Sequence, residues 1–262
     1  MSYQNRKILV IVPARSGSVG IPNKNIKDFC DYPLFLWSVK AALDSELVDC
    51  VAISSDYTNI TLDNKVYYRD LKELYFDFVI RNKKVRATNF MQRVCFIKRP
   101  DYLCQSDSTT ESCLLHCLET LEEKFDYVVA LQPTSPLRNK KMINDAIKCI
   151  ISDKKNSLLS VEQFTPFFLQ KDGNKVKWHY DPDNRKMRQD LEENEFFYHD
   201  DGNLYITKTS FLQNFGCRLD SEPYLYINDP LCSKQIDSEL DWLILETIFQ
   251  KSNSSKYVSF GR

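Results

Sequence analysis

The residues best suited to chemistry lie together near the amino terminus, in the stretch VIVPARSGSVGIPNKN at positions 10–25. It carries Arg15, Ser16, Gly17, Ser18, Gly20 and Lys24, and Gly17 and Gly20 are two of only six glycines in the chain. Glycine lets a backbone turn tightly and lets its N–H groups approach a ligand with no side chain in the way. Successive N–H groups flanked by Arg15 and Lys24 make a small positive concavity suited to a triphosphate. The stretch is neither a P-loop nor a dinucleotide fingerprint, since GxxxxGK[ST] and GxGxxG are both absent. An ordinary strand-to-helix turn is the competing reading. Farther on, Cys113, His116 and Cys117 share a helix face. Two thiolates and an imidazole are zinc ligands, but no second Cys/His cluster completes a tetrahedral site, so packing accounts for them better.

These residues need a scaffold, and strands and helices alternate through the first half as in a parallel sheet with crossover helices. ILVIVP, at 8–13, is a continuous apolar run, as expected of a strand covered on both faces. A helix through PLFLWSVKAALDS follows, with Pro33 in its first turn. CVAISSD and DYVVALQPTSPLR read as further strands, each ending in a polar turn. Ligands gather at the carboxyl ends of strands in open parallel sheets, so Arg15, Asp56 and Gln132 are expected to face one crevice. TTESCLLHCLETLEE has apolar residues at helical spacing, with Thr110 or Ser108 available as cap, and KKMINDAIKCIIS is a second amphipathic helix. Residues 64–93, rich in Lys, Arg and aromatics, read as a basic, solvated surface insertion.

The pattern changes in the second half. SLLSVEQF and DDGNLYIT read as strands, and FFLQKDGNKVKWHY as a hairpin turning at Asp172-Gly173-Asn174. That hairpin sits poorly in a compact doubly wound sheet, so residues 162–198 are expected to protrude as a subdomain. Its aromatics, Phe164, Phe167, Phe168 and Trp178, need burial, which a second copy of the chain would supply.

A chain of 262 residues is long enough for one main domain with such an appendage. Its 35 Lys and Arg against 36 Asp and Glu, and a pI near 6.3, argue against a general nucleic-acid binder. With no apolar run of about 18 residues and no signal-peptide core, the expectation is a soluble cytoplasmic protein without a membrane partner. Nine scattered cysteines with no CxxC pair point to reduced thiols.

PARSGSVGIPNKN resembles the signature loop of the CMP-sugar-acid synthetases, the acylneuraminate cytidylyltransferase family, which usually reads Ala-Arg, Gly-Ser-Lys-Gly and Lys-Asn. ALQPTSPLR, at 130–138, is similar to the second family signature, and IDSELDW, at 236–242, to the metal-binding third. KRPDYLCQSDSTT, RQDL and DGNLYI are weaker matches, and the resemblance runs from Ile8 to about Glu246. It implies an α/β fold with a mainly parallel, Rossmann-like nucleotidyltransferase sheet and a protruding dimerisation element. It further implies a homodimer that transfers CMP from CTP to an α-keto sugar acid and releases pyrophosphate. An anomeric hydroxyl would attack the α-phosphorus in line while charge grows on the leaving group, so cations and a metal around the triphosphate are expected.

By position, the resemblance assigns Arg15 and Lys24 to the triphosphate and leaving group, and Pro13, Ala14 and Asn25 to the nucleotide pocket. Arg99, Asp107 and Ser108 would flank cytosine. Gln132, Arg188 and Gln189 would meet the acceptor, where a guanidinium pairs naturally with a carboxylate. Asp237 would hold Mg2+, since carboxylate oxygens suit a hard cation that keeps several waters. DSELDW is equally a helix start with Ser238 as cap and Asp241 completing the box, and both roles can hold at once.

Three positions depart from the family pattern. Val19 stands where the Lys of Gly-Ser-Lys-Gly is usual, and Gln235 occupies the first place of the usual Asp-x-Asp pair. A neutral amide is the poorer magnesium ligand. Asp201 replaces the usual Asn before NLYI and, as an acceptor-site residue, would suit a hydroxyl or an amino group. These departures sustain two alternatives: a catalytically weak paralogue that binds a nucleotide or a partner protein, and a sugar-1-phosphate nucleotidylyltransferase. No motif ranks the acceptors securely; Gly17-Ser18 and RQDL favour a nine-carbon, sialic-like acid over an octulosonate.

Overall fold

A computed structural model describes residues 3–18, 20–61, 67–81 and 93–253. Strand β1 (Ile8–Pro13) is apolar because both of its faces are covered. Ile8, Val10 and Val12 enter one core layer and Leu9 and Ile11 the other, following the alternation of side chains along a strand. After a loop come β2 (Asp28–Phe29) and β3 (Tyr32–Pro33), a short antiparallel pair, and helix α1 (Leu34–Asp44). Pro33 is the N-cap of α1, one residue ahead of the first turn in which it was expected.

The chain continues through β4 (Cys50–Ser55), the antiparallel pair β5 (Thr58–Thr61) and β6 (Tyr67–Asp70), α2 (Leu71–Arg81) and β7 (Val94–Lys98). Next are α3 (Thr110–Thr120), β8 (Tyr127–Leu131), α4 (Lys140–Ser152) and β9 (Ser157–Phe164). Thr109 caps α3, its hydroxyl accepting from the Ser112 N–H at 3.2 Å, rather than Thr110 or Ser108. The remainder is β10 (Leu169–Asp172), β11 (Lys175–Trp178), β12 (Phe197–Lys208), α5 (Thr209–Phe215), β13 (Tyr224–Ile227) and α6 (Glu239–Asn253).

Seven strands form the central sheet in the order β13-β9-β12-β8-β1-β4-β7. All run parallel except β12, which is antiparallel to both β8 and β9. Helices α1, α2 and α4 cover one face and α3 and α5 the other, so the expected α/β architecture is present. A third apolar cluster joins Ile21, Phe29 and Leu34 to Ile236, Trp242 and Leu245, and so seats α6 against the segment that follows β1.

The basic insertion is only partly as expected. Residues 64–66 and 82–92 lie outside the described residues, but β6 and α2 are packed elements rather than a solvated surface. Tyr68, Leu71, Leu74 and Tyr75 are buried, and Tyr75 stacks edge-on against Phe96 of β7 at 5.4 Å. Aromatic area outweighs local charge density there, because burying one large ring stabilises by about 1.5–3 kcal/mol. Residues 162–198 do hold a separate hairpin, β10–β11, which turns at Gly173-Asn174 with Gly173 at φ 58°.

At the carboxyl end of β8, Arg138 is almost wholly buried. Its guanidinium donates to Asn203 Oδ1 (2.6 Å) and O (2.6 Å), Ser38 Oγ (2.8 Å) and Gln132 O (2.9 Å). Burial pulls its pKa down to about 9, opposed by the charge of Asp201, so it remains a cation at neutral pH. One side chain thereby ties β8, β12 and α1 together. Arg138→Met would strand several buried acceptors, each costing about 1–3 kcal/mol; a denaturant melt should show at least about 2 kcal/mol of lost stability.

Candidate active site

The chain runs outward from β1 to β4 and β7, then returns to place β8 on the other side of β1. A crevice opens at such a reversal, outside the carboxyl ends of the strands. Three loops converge on it, those after β1, β4 and β7, together with the turn after β8.

The loop after β1 is held from several directions. Arg15 Nη1 donates to the carbonyls of Cys104 (2.9 Å) and Gln105 (2.7 Å) in the loop after β7. Asn25, buried, donates from Nδ2 to the Arg15 carbonyl at 2.8 Å. Ser16 is bound through its N–H (2.7 Å) and hydroxyl (2.5 Å) to the two oxygens of Asp56. By contrast, the N–H groups of Gly17, Ser18 and Gly20 have no hydrogen-bond partner among the described residues. Pro13 and Ala14 line the root of the loop, and Ala14 N–H donates to Ser54 O at 2.9 Å. Val19 lies outside the described residues.

Lys24 and Asp237 meet. Lys24 Nζ donates to the Ile236 carbonyl at 2.7 Å and lies 3.3 Å from Asp237 Oδ1. The lysine side chain is 12% exposed and the carboxylate 75%, so the pair has a fixed cation and an open anion. Gly20 makes the approach possible: a Cβ there would lie 2.6 Å from the Asp237 carbonyl oxygen. The start of α6 is capped as expected, Ser238 N–H and Oγ donating to Asp241 Oδ2 at 2.8 and 2.7 Å and Asp241 N–H donating back to Ser238 Oγ at 3.2 Å. The Ser238 bonds lead in holding the Asp241 carboxyl below its usual range, with Lys24 adding.

Arg99 is buried, donating from Nε to Ser54 Oγ and from Nη2 to Ser54 O, both at 3.0 Å. Its Nη1 has no partner among the described residues. Cys113 and Cys117 sit in the adjoining core, and the Cys113 thiol donates to Ser54 Oγ at 3.4 Å. The hydrogen bond from Cys117 leads in pulling Cys113's pKa down, and Arg99 adds to it. Ser108 donates to Tyr102 O at 3.1 Å, while Asp107 is exposed. Gln132 anchors the turn after β8 through its backbone, leaving its side-chain amide without a partner among the described residues.

Asp201 is held by its neighbours. It is 1% exposed, and its carboxylate accepts from Ser160 Oγ, from Asn203 N–H at 3.0 Å and from Asn228 Nδ2 at 2.8 Å. Both oxygens are engaged within the protein, and the residue also lines the cleft beside Asp237. Gln235 lies against it, donating from Nε2 to the Asp201 carbonyl and accepting from Thr134 Oγ1 at 3.1 Å. Arg188 and Gln189, in a turn of the protruding element, are exposed and make no side-chain hydrogen bond among the described residues. Neither is among the residues lining the cleft beside Asp237.

A cleft of about 400 Å³ lies beside Asp237, walled by Glu162, Phe164, Phe168, His199, Lys234 and Asp241. Lys234 Nζ donates to both Glu162 oxygens at 2.8 and 2.9 Å. A larger cavity of about 790 Å³ between α1, α4 and α6 contains none of the expected site residues. Sequence reasoning passed over Arg138, Asn203 and the Glu162–Lys234 pair; only Arg138 carried a signal, as the last residue of ALQPTSPLR.

For a divalent cation, the donor set is lean. No cluster of three or more His, Cys, Asp or Glu among the described residues is arranged to hold a metal. Gln235 is engaged, and Asp241 Oδ2 serves the helix cap, which leaves the exposed Asp237 carboxylate. This fits Mg2+, which is commonly bound through one or two carboxylates with substrate phosphates and waters completing its shell.

Residues 9–233 match the family model described as cytidylyltransferase. The chain is 26% identical over 260 residues to an N-acylneuraminate cytidylyltransferase of Escherichia coli, covering 95% of this chain and 54% of that protein. It is 26% identical over 259 residues to a pseudaminic acid cytidylyltransferase of Campylobacter jejuni, covering 96% of this chain and all of that one. The chain thus spans about half the length of the first relative and the whole of the second. In structure it is similar to a CMP:2-keto-3-deoxy-manno-octonic acid synthetase solved with CTP, at a TM-score of 0.59 and 11% identity over 94% of this chain and 99% of that one. That likeness concerns the fold alone. No helix among the described residues is long and apolar enough to cross a membrane. With a family match over most of its length, the chain belongs to the cytidylyltransferase family of nucleotidyltransferases.

Proposed function

We propose that the protein transfers CMP from CTP to the anomeric hydroxyl of an α-keto sugar acid in the cytoplasm, releasing pyrophosphate. The observation that carries this reading is the contact of Lys24 with Asp237 beside the free N–H groups of Gly17, Ser18 and Gly20. In the reaction the acceptor oxygen bonds to the α-phosphorus and the bond to the pyrophosphate oxygen breaks. Charge develops on the leaving group, where Lys24 and the loop N–H groups are placed to stabilise it. The unpaired Nη1 of Arg99 is available to the cytosine ring, and the free amide of Gln132 to the acceptor. Asp237 would hold Mg2+, which when bound supplies positive charge to the phosphate oxygens.

A homodimer fits the same reading. Phe168, Trp178 and Met187 are 42%, 46% and 65% exposed on the protruding element, and a second copy would cover them. It would also carry Arg188 and Gln189 to the neighbouring cleft. The relatives named for N-acylneuraminate and pseudaminic acid support a sialic-like acceptor. The weak-paralogue reading draws on Gln235, whose engaged amide leaves Asp237 as the lone carboxylate.

Incubation with CTP, Mg2+ and a panel of sugar acids should release pyrophosphate with at least one nine-carbon acid. CTP binding without release for any acceptor would instead favour the paralogue, and release with a sugar phosphate or with UTP in preference would favour a sugar-1-phosphate nucleotidylyltransferase. Asp237→Asn should cut turnover by about a hundredfold or more, with the melting temperature unchanged. Near-normal activity with the same magnesium dependence would overturn the metal assignment. Gly20→Ala should also lower turnover by about a hundredfold, since displacing a reacting group by about 1 Å has that effect. Wild-type turnover in that variant would show that the loop's approach to Asp237 is not needed.

A further inference from the structure

Asp56 stands at the carboxyl end of β4, where its charge opposes an anionic ligand. Both of its oxygens are nevertheless committed to the loop after β1, one to the Ser16 N–H and one to the Ser16 hydroxyl. The Cys104 thiol, raised to about 11 by burial first and Asp56 next, belongs to the same group. The carbonyls of Cys104 and Gln105 in turn receive the Arg15 guanidinium. Three crevice loops therefore meet around one carboxylate.

The detail that matters is a single peptide plane. The carbonyl of Arg15 and the N–H of Ser16 belong to one rigid unit. Asn25 holds its oxygen at 2.8 Å and Asp56 its N–H at 2.7 Å. With both ends fixed, the unit cannot rotate, and the path of the backbone into Gly17, at φ 71°, is set. The N–H groups that follow, of Gly17, Ser18 and Gly20, have no hydrogen-bond partner among the described residues.

We propose that Asp56 is a positioning residue for nucleotide binding: by holding Ser16 through its N–H and its hydroxyl, it presents the N–H groups of Gly17, Ser18 and Gly20 to the triphosphate of CTP. This rests on the cytidylyltransferase reading. The amide variant separates position from charge. In Asp56→Asn the repulsion of a triphosphate is removed, which alone would tighten CTP. Its amide keeps the clamp, the oxygen accepting from the Ser16 N–H and the NH2 donating to the Ser16 hydroxyl, which accepts as well as donates. Asp56→Ala removes both bonds and so breaks the clamp.

The test is calorimetric binding of CTP to the intact protein without acceptor, alongside steady-state kinetics. Asp56→Ala should weaken CTP about tenfold and raise the KM for CTP by a similar factor; kcat should fall as well, since the same N–H groups face the leaving group, while the KM for the acceptor stays within about twofold of wild type. Asp56→Asn, which keeps the clamp, should bind CTP at least as tightly as wild type. Ser16→Ala should weaken CTP by a smaller factor than Asp56→Ala, and the double variant of Ser16→Ala with Asp56→Ala should bind no worse than Asp56→Ala, because the two groups act as one contact. Unchanged or tighter CTP binding in Asp56→Ala would overturn the proposal, as would additive losses in the double variant. Should Asp56→Ala fail to fold, wild-type CTP affinity in Ser16→Ala would overturn it equally. A wild-type protein that does not bind CTP would overturn the cytidylyltransferase reading, and this proposal with it.

Discussion

The loop after the first strand and the start of the last helix occupy the same space, and the site depends on that contact. Lys24 reaches the Ile236 carbonyl across 212 positions of sequence, and Gly20 passes so near the Asp237 carbonyl that no side chain fits between them. The ion pair is too weak to hold the two segments together: an exposed pair contributes about 0–1 kcal/mol, and Asp237 is open to water. Ile21, Phe29 and Leu34 packed against Ile236, Trp242 and Leu245 do hold them, each large buried side chain adding about 1.5–3 kcal/mol. Apolar burial sets the position, and the charges are carried to it.

The floor of the crevice follows a related logic with polar groups. Two of the departures from the family pattern, Asp201 and Gln235, touch each other. Gln235 can donate to the Asp201 carbonyl while accepting from Thr134, a combination that a carboxylate, having no donor, cannot make. Its side chain lies over Gly202, at φ 61°, where a Cβ would collide with the amide. The Asp201 carboxylate is satisfied by Ser160, Asn203 and Asn228, and its charge is felt by the buried Arg138. Two departures from the family pattern thus form one hydrogen-bonded network at the edge of the cleft, bracing β12 against the turn after β8.

What was legible in the sequence was what local physics determines. β1 and β9 have the expected bounds, the β10–β11 hairpin turns at the expected glycine, and Ser238 and Asp241 form the expected cap, because periodicity, turn chemistry and capping act over a few residues. What was missed depends on partners distant in sequence. α2 looks solvated from its charges, yet Leu71, Leu74 and Tyr75 gather on the side that meets the sheet. Asn228 and Arg138, the partners of Asp201, come from segments far away in sequence. The insertion of antiparallel β12 between β8 and β9 has no local signature, since β9 and β12 are joined only through the protruding element.

Charge balance links that element to the cleft. Among the described residues lining it, Lys234 is the one lysine or arginine against Glu162, Asp201, Asp237 and Asp241. Glu162 takes two of its hydrogen bonds, and Lys24 adds one cation beside Asp237. Under the proposed reading, an acceptor carboxylate entering this space would meet a net negative wall, which is unfavourable at contact distance even with solvent screening. Mg2+ held by Asp237 would offset part of that charge, and Arg188, exposed and with no side-chain hydrogen bond among the described residues, is a further cation of the protruding element. Glu162, Phe164 and Phe168 of that element wall the cleft of their own chain, so the segment that carries Arg188 also shapes the space an acceptor would enter.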